Sequence, residues 1–131
     1  MKGNYYMPKK KSPLSLLIVE DERPIAHALK LKCESEGYAT TLVADGLEAL
    51  EVLATTSFDC ILLDLIMPEK DGFAVLAEMK ERDTKTPIIV LSNLGQESDI
   101  ARCRELGAVH YFVKADMSIA DVVASIKKFI E

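Results

Sequence analysis

Residues 60–72 read CILLDLIMPEKDG, and the fold is legible outward from them. Cys60, Ile61, Leu62 and Leu63 form a short apolar run, the pattern of a strand buried on both faces, and Asp64 ends it abruptly. Behind it, Met67-Pro68 and Asp71-Gly72 are turn signals, because proline disfavours helix at the residue before it and Asp-Gly favours a turn into the next helix. Asp64 is therefore expected in a loop mouth at a strand's carboxyl end, the edge where open parallel α/β sheets collect ligands. Alone, an aspartate there is an ordinary turn residue. Three further strand ends shift the balance: Glu20-Asp21-Glu22 after LLIV, Ser92 after IIVL and Lys114 after YFV. Acids, a hydroxyl and an ammonium at four strand ends make a candidate site.

The 131 residues, 49% apolar and 28% charged, suit one soluble globular domain with a real core. Apolar runs are strand-length, short of the roughly 20 residues a membrane-spanning helix needs. The N-terminal MKGNYYMPKKKSP has basic residues but no following apolar segment of signal-peptide length. These features predict a cytoplasmic protein with no membrane partner. The net charge of −5 is split: residues 1–13 carry Lys2, Lys9, Lys10 and Lys11 and no acid, which leaves −9 on the remainder. An acidic body argues against direct nucleic-acid binding, and residues 1–13 read as a flexible basic tail. Cys33, Cys60 and Cys103 are odd in number, far apart and without a CxxC, so they read as core fillers rather than metal ligands or a disulfide. His27 and His110 stand alone and read as surface or helix residues.

In chain order, Ser15–Val19 reads as a buried strand, and Glu20 to Pro24 supplies acids and an early proline where a helix begins. Ile25, Leu29 and Cys33 give that helix one apolar stripe until Gly37. A second strand is expected over Thr40–Ala44, Asp45-Gly46 is expected to turn the chain, and Leu47, Leu50, Leu53 and Ala54 mark a second helix. After the strand ending at Asp64, Phe73, Leu76 and Met79 mark a third helix, and Ile88–Leu91 a fourth strand. The helix over Gln96–Leu106 has a thin stripe of Ile100, Cys103 and Leu106, which predicts the least firmly packed helix. Tyr111–Val113 is a fifth strand, and Ile119, Val122, Val123, Ile126 and Ile130 make the last helix strongly amphipathic. Strict alternation of five strands and five helices predicts an α/β fold over residues 14–131, with a parallel sheet and helices on both faces.

With LLIVEDE, LLDLIMPEKDG, IIVLSN and YFVK in that order and spacing, residues 14–131 resemble the receiver domains of bacterial two-component response regulators. The resemblance implies a flavodoxin-like, doubly wound (βα)5 sheet with strand order 2-1-3-4-5. It also implies transfer of a phosphoryl group to Asp64 from a histidine kinase or phosphotransfer protein. Mg²⁺ would be held by Glu20, Asp21, Asp64 and the backbone carbonyl of Ile66, hard oxygen donors that suit it. Lys114 resembles the family's lysine that neutralises a phosphoryl oxygen, Ser92 the hydroxyl that bonds to it, and Tyr111 the aromatic switch that moves with that hydroxyl. Output would pass to a downstream protein through the 96–131 face, with a phosphorylation-dependent homodimer left open.

Each of these residues has an ordinary alternative. Glu20 and Asp21 suit a helix's first turn, Ser92 a helix cap, Tyr111 a half-buried strand and Lys114 a solvated strand end. The sequence also departs from the family pattern. Ala115 follows Lys114 where a cis proline is common, so a trans bond is expected. Asn93 stands where a smaller residue is usual and is expected to crowd the pocket entrance, while Ile66 and Leu94 are apolar where relatives orient the attacking water. Slow hydrolysis of the phosphorylated form is the corresponding expectation.

The principal expectation is a stand-alone signalling switch that catalyses only its own phosphorylation and dephosphorylation; excision from a longer protein is the alternative. Two other functions compete. A haloacid dehalogenase-like phosphatase would need a second acid two residues after the nucleophile, and that place holds Ile66. A degenerate receiver, binding partners without phosphorylation, fits poorly with the full set of acids, Ser92 and Lys114.

Overall fold

The computed structural model describes residues 13–131; the basic tail expected over 1–13 lies, except for Pro13, outside the described residues. Five strands alternate with five helices: β1 Ser15–Val19, α1 Arg23–Ser35, β2 Ala39–Val43, α2 Gly46–Leu53, β3 Cys60–Asp64, α3 Gly72–Glu81, β4 Ile88–Ser92, α4 Glu97–Glu105, β5 His110–Val113 and α5 Ile119–Ile130. A 3-10 turn, Lys114–Asp116, follows β5 directly. The strands form one sheet in the order β2-β1-β3-β4-β5, parallel throughout. This is the doubly wound, flavodoxin-like order of receiver domains. No helix among the described residues is long and apolar enough to cross a membrane.

Period-two alternation in the central strands divides the core between the two faces of the sheet. Leu17, Val19, Ile61, Leu63, Ile88 and Val90 face one way, onto Leu50 of α2, Val75, Leu76 and Met79 of α3 and Cys103 of α4. Leu16, Ile18, Cys60, Leu62, Ile89 and Leu91 face the other, onto Leu29 and Cys33 of α1 and Val122, Val123 and Ile126 of α5. β3 and β4 are buried at every position, so their polar last residues, Asp64 and Ser92, are carried into the interior. All three cysteines are buried and unpaired, with thiols pushed up by burial to about 11 or 12, as expected of core fillers. His27 and His110 are exposed.

Differences from expectation are small and have local causes. β2 spans Ala39–Val43 rather than Thr40–Ala44, because it is a sheet edge whose exposed positions blur the apolar pattern. Asp45-Gly46 is a helix start rather than a simple turn: the Asp45 side chain accepts from the Glu48 amide, and the Glu48 side chain accepts from the Ala44 amide. Asp71 likewise caps α3, accepting from the Ala74 amide at 2.9 Å. α4 has a single buried residue, Cys103, in line with its thin stripe. Gly37 and Gly107 end α1 and α4 with φ of 95° and 101°, the left-handed region where a glycine costs least.

Candidate functional site

Four of the five strands, β1, β3, β4 and β5, lead at their carboxyl ends into polar residues. β1 gives way to Glu20, Asp21 and Glu22, β3 ends on Asp64, β4 on Ser92, and β5 runs into Lys114. The register pairs Val19 with Leu63 and Asp64 with Leu91, so the strand ends lie level and their polar residues converge. Glu20, Asp64 and Ser92 are the buried polar residues of the described chain. Gly72 sets how closely the loop after β3 can fold back. Its amide donates to the Leu65 carbonyl at 2.9 Å, and an added Cβ would collide with the Asp64 carbonyl oxygen and lie 2.7 Å from Leu65 Cα. The Asp71-Gly72 pair is thus a cap followed by a required close approach.

Lys114 is drawn inside by three carboxylates. Its Nζ lies 2.7 Å from Glu20 Oε1, 2.9 Å from Glu22 Oε2 and 3.1 Å from Asp64 Oδ2, and its side chain is only 4% exposed. Burial alone would lower the ammonium's pKa; the three carboxylates reverse that and hold it above the ordinary lysine value. All described peptide bonds are trans, including Lys114-Ala115, and the 3-10 turn still leaves the ammonium pointing into the pocket. The chain therefore reaches the site without the proline that the family pattern favours.

The acids pay unequal costs. Burial pushes the Glu20 carboxyl up to about 7 against the opposing pull of Lys114, and burial also raises Asp64, again opposed by Lys114. Asp64 Oδ1 accepts the Ile66 amide at 3.2 Å, which fixes its carboxylate plane. Glu20 Oε1, although 2.7 Å from Lys114 Nζ, is buried and receives no hydrogen bond of good geometry among the described residues. An under-served buried carboxylate oxygen is what a cation would satisfy. Glu20, Asp21 and Asp64 each offer an oxygen within 4.8 Å of the others, a spacing that one small, oxygen-seeking divalent cation can draw together. The donor set fits Mg²⁺.

Access is through an opening of about 170 Å³ lined by Asp21, Glu22, Asp64, Ile66, Asn93 and Lys114. Asn93 stands at this mouth, as its bulk predicts, and Ile66 is 53% exposed beside it. Leu94 is placed differently from expectation: its side chain packs against the core on the α2–α3–α4 side. Its backbone carries the connection to β5. The Leu94 amide donates to Ser92 Oγ at 3.3 Å, and the Tyr111 hydroxyl donates to the Leu94 carbonyl. Ser92 thus does not cap α4, whose N-cap is Gln96, and Tyr111 is tied to the loop that leaves Ser92.

The acids, Ser92 and Lys114 are brought to this edge of the sheet, with Tyr111 linked to Ser92 through the backbone of Leu94. Glu22, to which the family resemblance assigns no role, joins the site through Lys114. Its only sequence signal is being a third consecutive acid, which cannot say that its side chain reaches Lys114 across 92 positions.

Comparison with known proteins agrees with this geometry. Residues 16–127 match the family model of the response regulator receiver domain. The transcriptional regulatory protein DltR of Streptococcus agalactiae is 38% identical over 101 residues, covering 77% of this chain and 45% of that protein. SrrA of Staphylococcus aureus, also a transcriptional regulatory protein, is 37% identical over 115 residues, 88% of this chain and 47% of that one. The chain thus spans about half the length of these relatives. Among solved structures, a Francisella response regulator receiver domain superposes with a TM-score of 0.85 at 30% identity, covering 89% of this chain and 96% of that one. The receiver domain of a Pseudomonas aeruginosa sensor histidine kinase, solved with a magnesium ion coordinated in its active site cleft, superposes at 0.81 with 28% identity, over 90% of this chain and 98% of that one. Receiver domains are signalling switches of two-component systems rather than turnover enzymes, and with the family model, the relatives and the sheet order in agreement, this chain belongs to the response regulator receiver-domain family.

Proposed function

We propose that this chain is a phosphoreceiver, accepting a phosphoryl group on Asp64 from the phosphohistidine of a kinase or phosphotransfer protein. The observation that carries the proposal is the setting of Asp64: buried, 3.1 Å from an ammonium, and sharing an edge with two more acids that offer oxygens to the same point. In the reaction a carboxylate oxygen of Asp64 forms a bond to phosphorus as the P–N bond to the donor imidazole breaks, and the imidazole leaves with that electron pair. Bound Mg²⁺ would supply the positive charge that lets an anionic nucleophile meet an anionic phosphoryl group. Glu20, Asp21, Asp64 and the Ile66 carbonyl would hold it. Lys114, 3.1 Å from Asp64, would neutralise a second phosphoryl oxygen, and the Ser92 hydroxyl would bond a third.

The signal would leave by the bond from Tyr111 to the Leu94 carbonyl, since movement of Ser92 toward the phosphoryl group displaces the loop that Tyr111 holds. The 96–131 face then changes for a downstream protein or for a second copy of the chain. We place this exchange in the cytoplasm, alongside the kinase's phosphodonor. Acetyl phosphate with Mg²⁺ tests the proposal: a phosphate-sized mass gain is expected in the parent and none in Asp64→Ala or with chelator. A parent that gains no mass, or an Asp64→Ala variant that does, would overturn it.

A further inference from the structure

Lys114 is contested. Its Nζ lies within 3.1 Å of three carboxylates and donates to two of them, Glu22 and Asp64, while Glu20 Oε1 stands at 2.7 Å without a hydrogen bond of good geometry. A phosphoryl oxygen arriving on Asp64 competes with these oxygens for the ammonium. Glu20 and Asp64 have side chains only 1% and 3% exposed and would turn to Mg²⁺, whereas the Glu22 side chain, outside that three-acid group, is 45% exposed and can exchange its partner for solvent cheaply. Glu22 also lines the mouth through which a donor must pass.

We infer that Glu22 is a positioning residue for phosphorylation: it accepts a proton of Lys114 before the phosphoryl group arrives and gives that contact up to a phosphoryl oxygen. This rests on the phosphoreceiver reading above. Glu22 holds the ammonium at the mouth while the site waits, and competes with the phosphoryl group for it once phosphorus approaches. Because the competition is lost in the transition state and product, weakening Glu22 favours both. The residue thus sets how readily the site loads rather than whether it can.

The test is the rate of phosphorylation by acetyl phosphate at fixed Mg²⁺, in which an Asp64 oxygen displaces acetate from phosphorus. Glu22→Gln, which keeps shape and removes charge, is expected to load about two- to fivefold faster, the range of a half-exposed ion pair. Glu69→Gln serves as the control, because Glu69 is an exposed acid in the loop after β3 with no ion pair to Lys114. It should change the rate by far less. Glu22→Asp, too short to span the same gap, should load faster than the parent as well. Magnesium affinity of Glu22→Gln should stay within about twofold of the parent, since Glu22 offers no oxygen to the three-acid group. An unchanged or slower Glu22→Gln, an equal gain in Glu69→Gln, or a large loss of Mg²⁺ affinity in Glu22→Gln would each overturn the inference. A parent that does not load at all would instead defeat the phosphoreceiver reading, which keeps the two failures apart.

Discussion

β3 and α4 are parts of one domain held by opposite means. β3 is buried at all five positions and flanked by strands on both sides, and its last residue is Asp64. α4 buries only Cys103, and is otherwise held by the Arg102 guanidinium 4.0 Å over the Phe73 ring and by Lys80 donating to the Glu105 carbonyl at 2.7 Å. Asp64, the proposed phosphoacceptor, thus stands on the most deeply buried part of the fold, and the loop carrying Ser92, Leu94 and the Tyr111 contact leads into the most shallowly buried helix. A receiver needs both, since phosphoryl transfer demands fixed geometry and signalling demands a second arrangement within a few kcal/mol.

The largest expected effect is in amide hydrogen exchange. β3 amides should exchange only on global unfolding and those of α4 through local opening, a difference of several kcal/mol in opening free energy. Equal protection would break the contrast.

Next in size is a glycine pair. Gly72→Ala forces a methyl against the Asp64 carbonyl and should cost about 1–3 kcal/mol in urea unfolding, whereas Gly95→Ala meets only Val113 methyls, the nearer at 3.7 Å, and should be near neutral. Comparable losses at both sites would mean that the two loops are equally constrained.

A smaller effect sharpens the electrostatics of the buried end. The folded-state pKa of Glu20 lies at about 7, above its ordinary 4.5, so the stability its proton confers is fully present below 4.5 and lost as pH rises through 7. Without Mg²⁺, the stability of Glu20→Gln relative to the parent should therefore increase between pH 5 and pH 8, read as the difference in Tm. Adding Mg²⁺ at pH 8 should stabilise the parent more than the variant. A gap independent of pH would show that Glu20 is not strained by ionisation.

The smallest effect concerns the mouth. Ile66 is exposed beside Asp64 and cannot orient a water, so Ile66→Asn should speed phosphate release from the phosphorylated protein severalfold. Leu94→Asn should do less, because that side chain points into the core. An unchanged rate in Ile66→Asn would count against the slow-release expectation.

Much of this was legible in the sequence for physical reasons. Continuous apolar runs such as Ile61–Leu63 and Ile88–Leu91 can satisfy their backbone and bury both faces only as interior strands, and their polar ends mark the functional edge. The thin stripe of α4 predicted its shallow burial. What stayed hidden depends on three-dimensional reach. The register of an exposed edge strand such as β2 is poorly marked by its pattern, and the inward turn of Leu94 depends on a loop path. The pairing of Glu22 with Lys114 joins residues 92 positions apart. Asp45 and Asp71 looked like turn residues because the same side-chain geometry serves turns and helix caps.

Glu20, Asp21 and Asp64 would share one divalent ion beside Lys114, which Glu20, Glu22 and Asp64 already contact. Calorimetric titration with Mg²⁺ is the test. One ion per chain is expected, with affinity falling as pH drops below about 7 and nearly lost in Asp21→Ala and Asp64→Ala. Binding that survives both substitutions, or an acidic edge that takes up no Mg²⁺ at millimolar concentration, would contradict it.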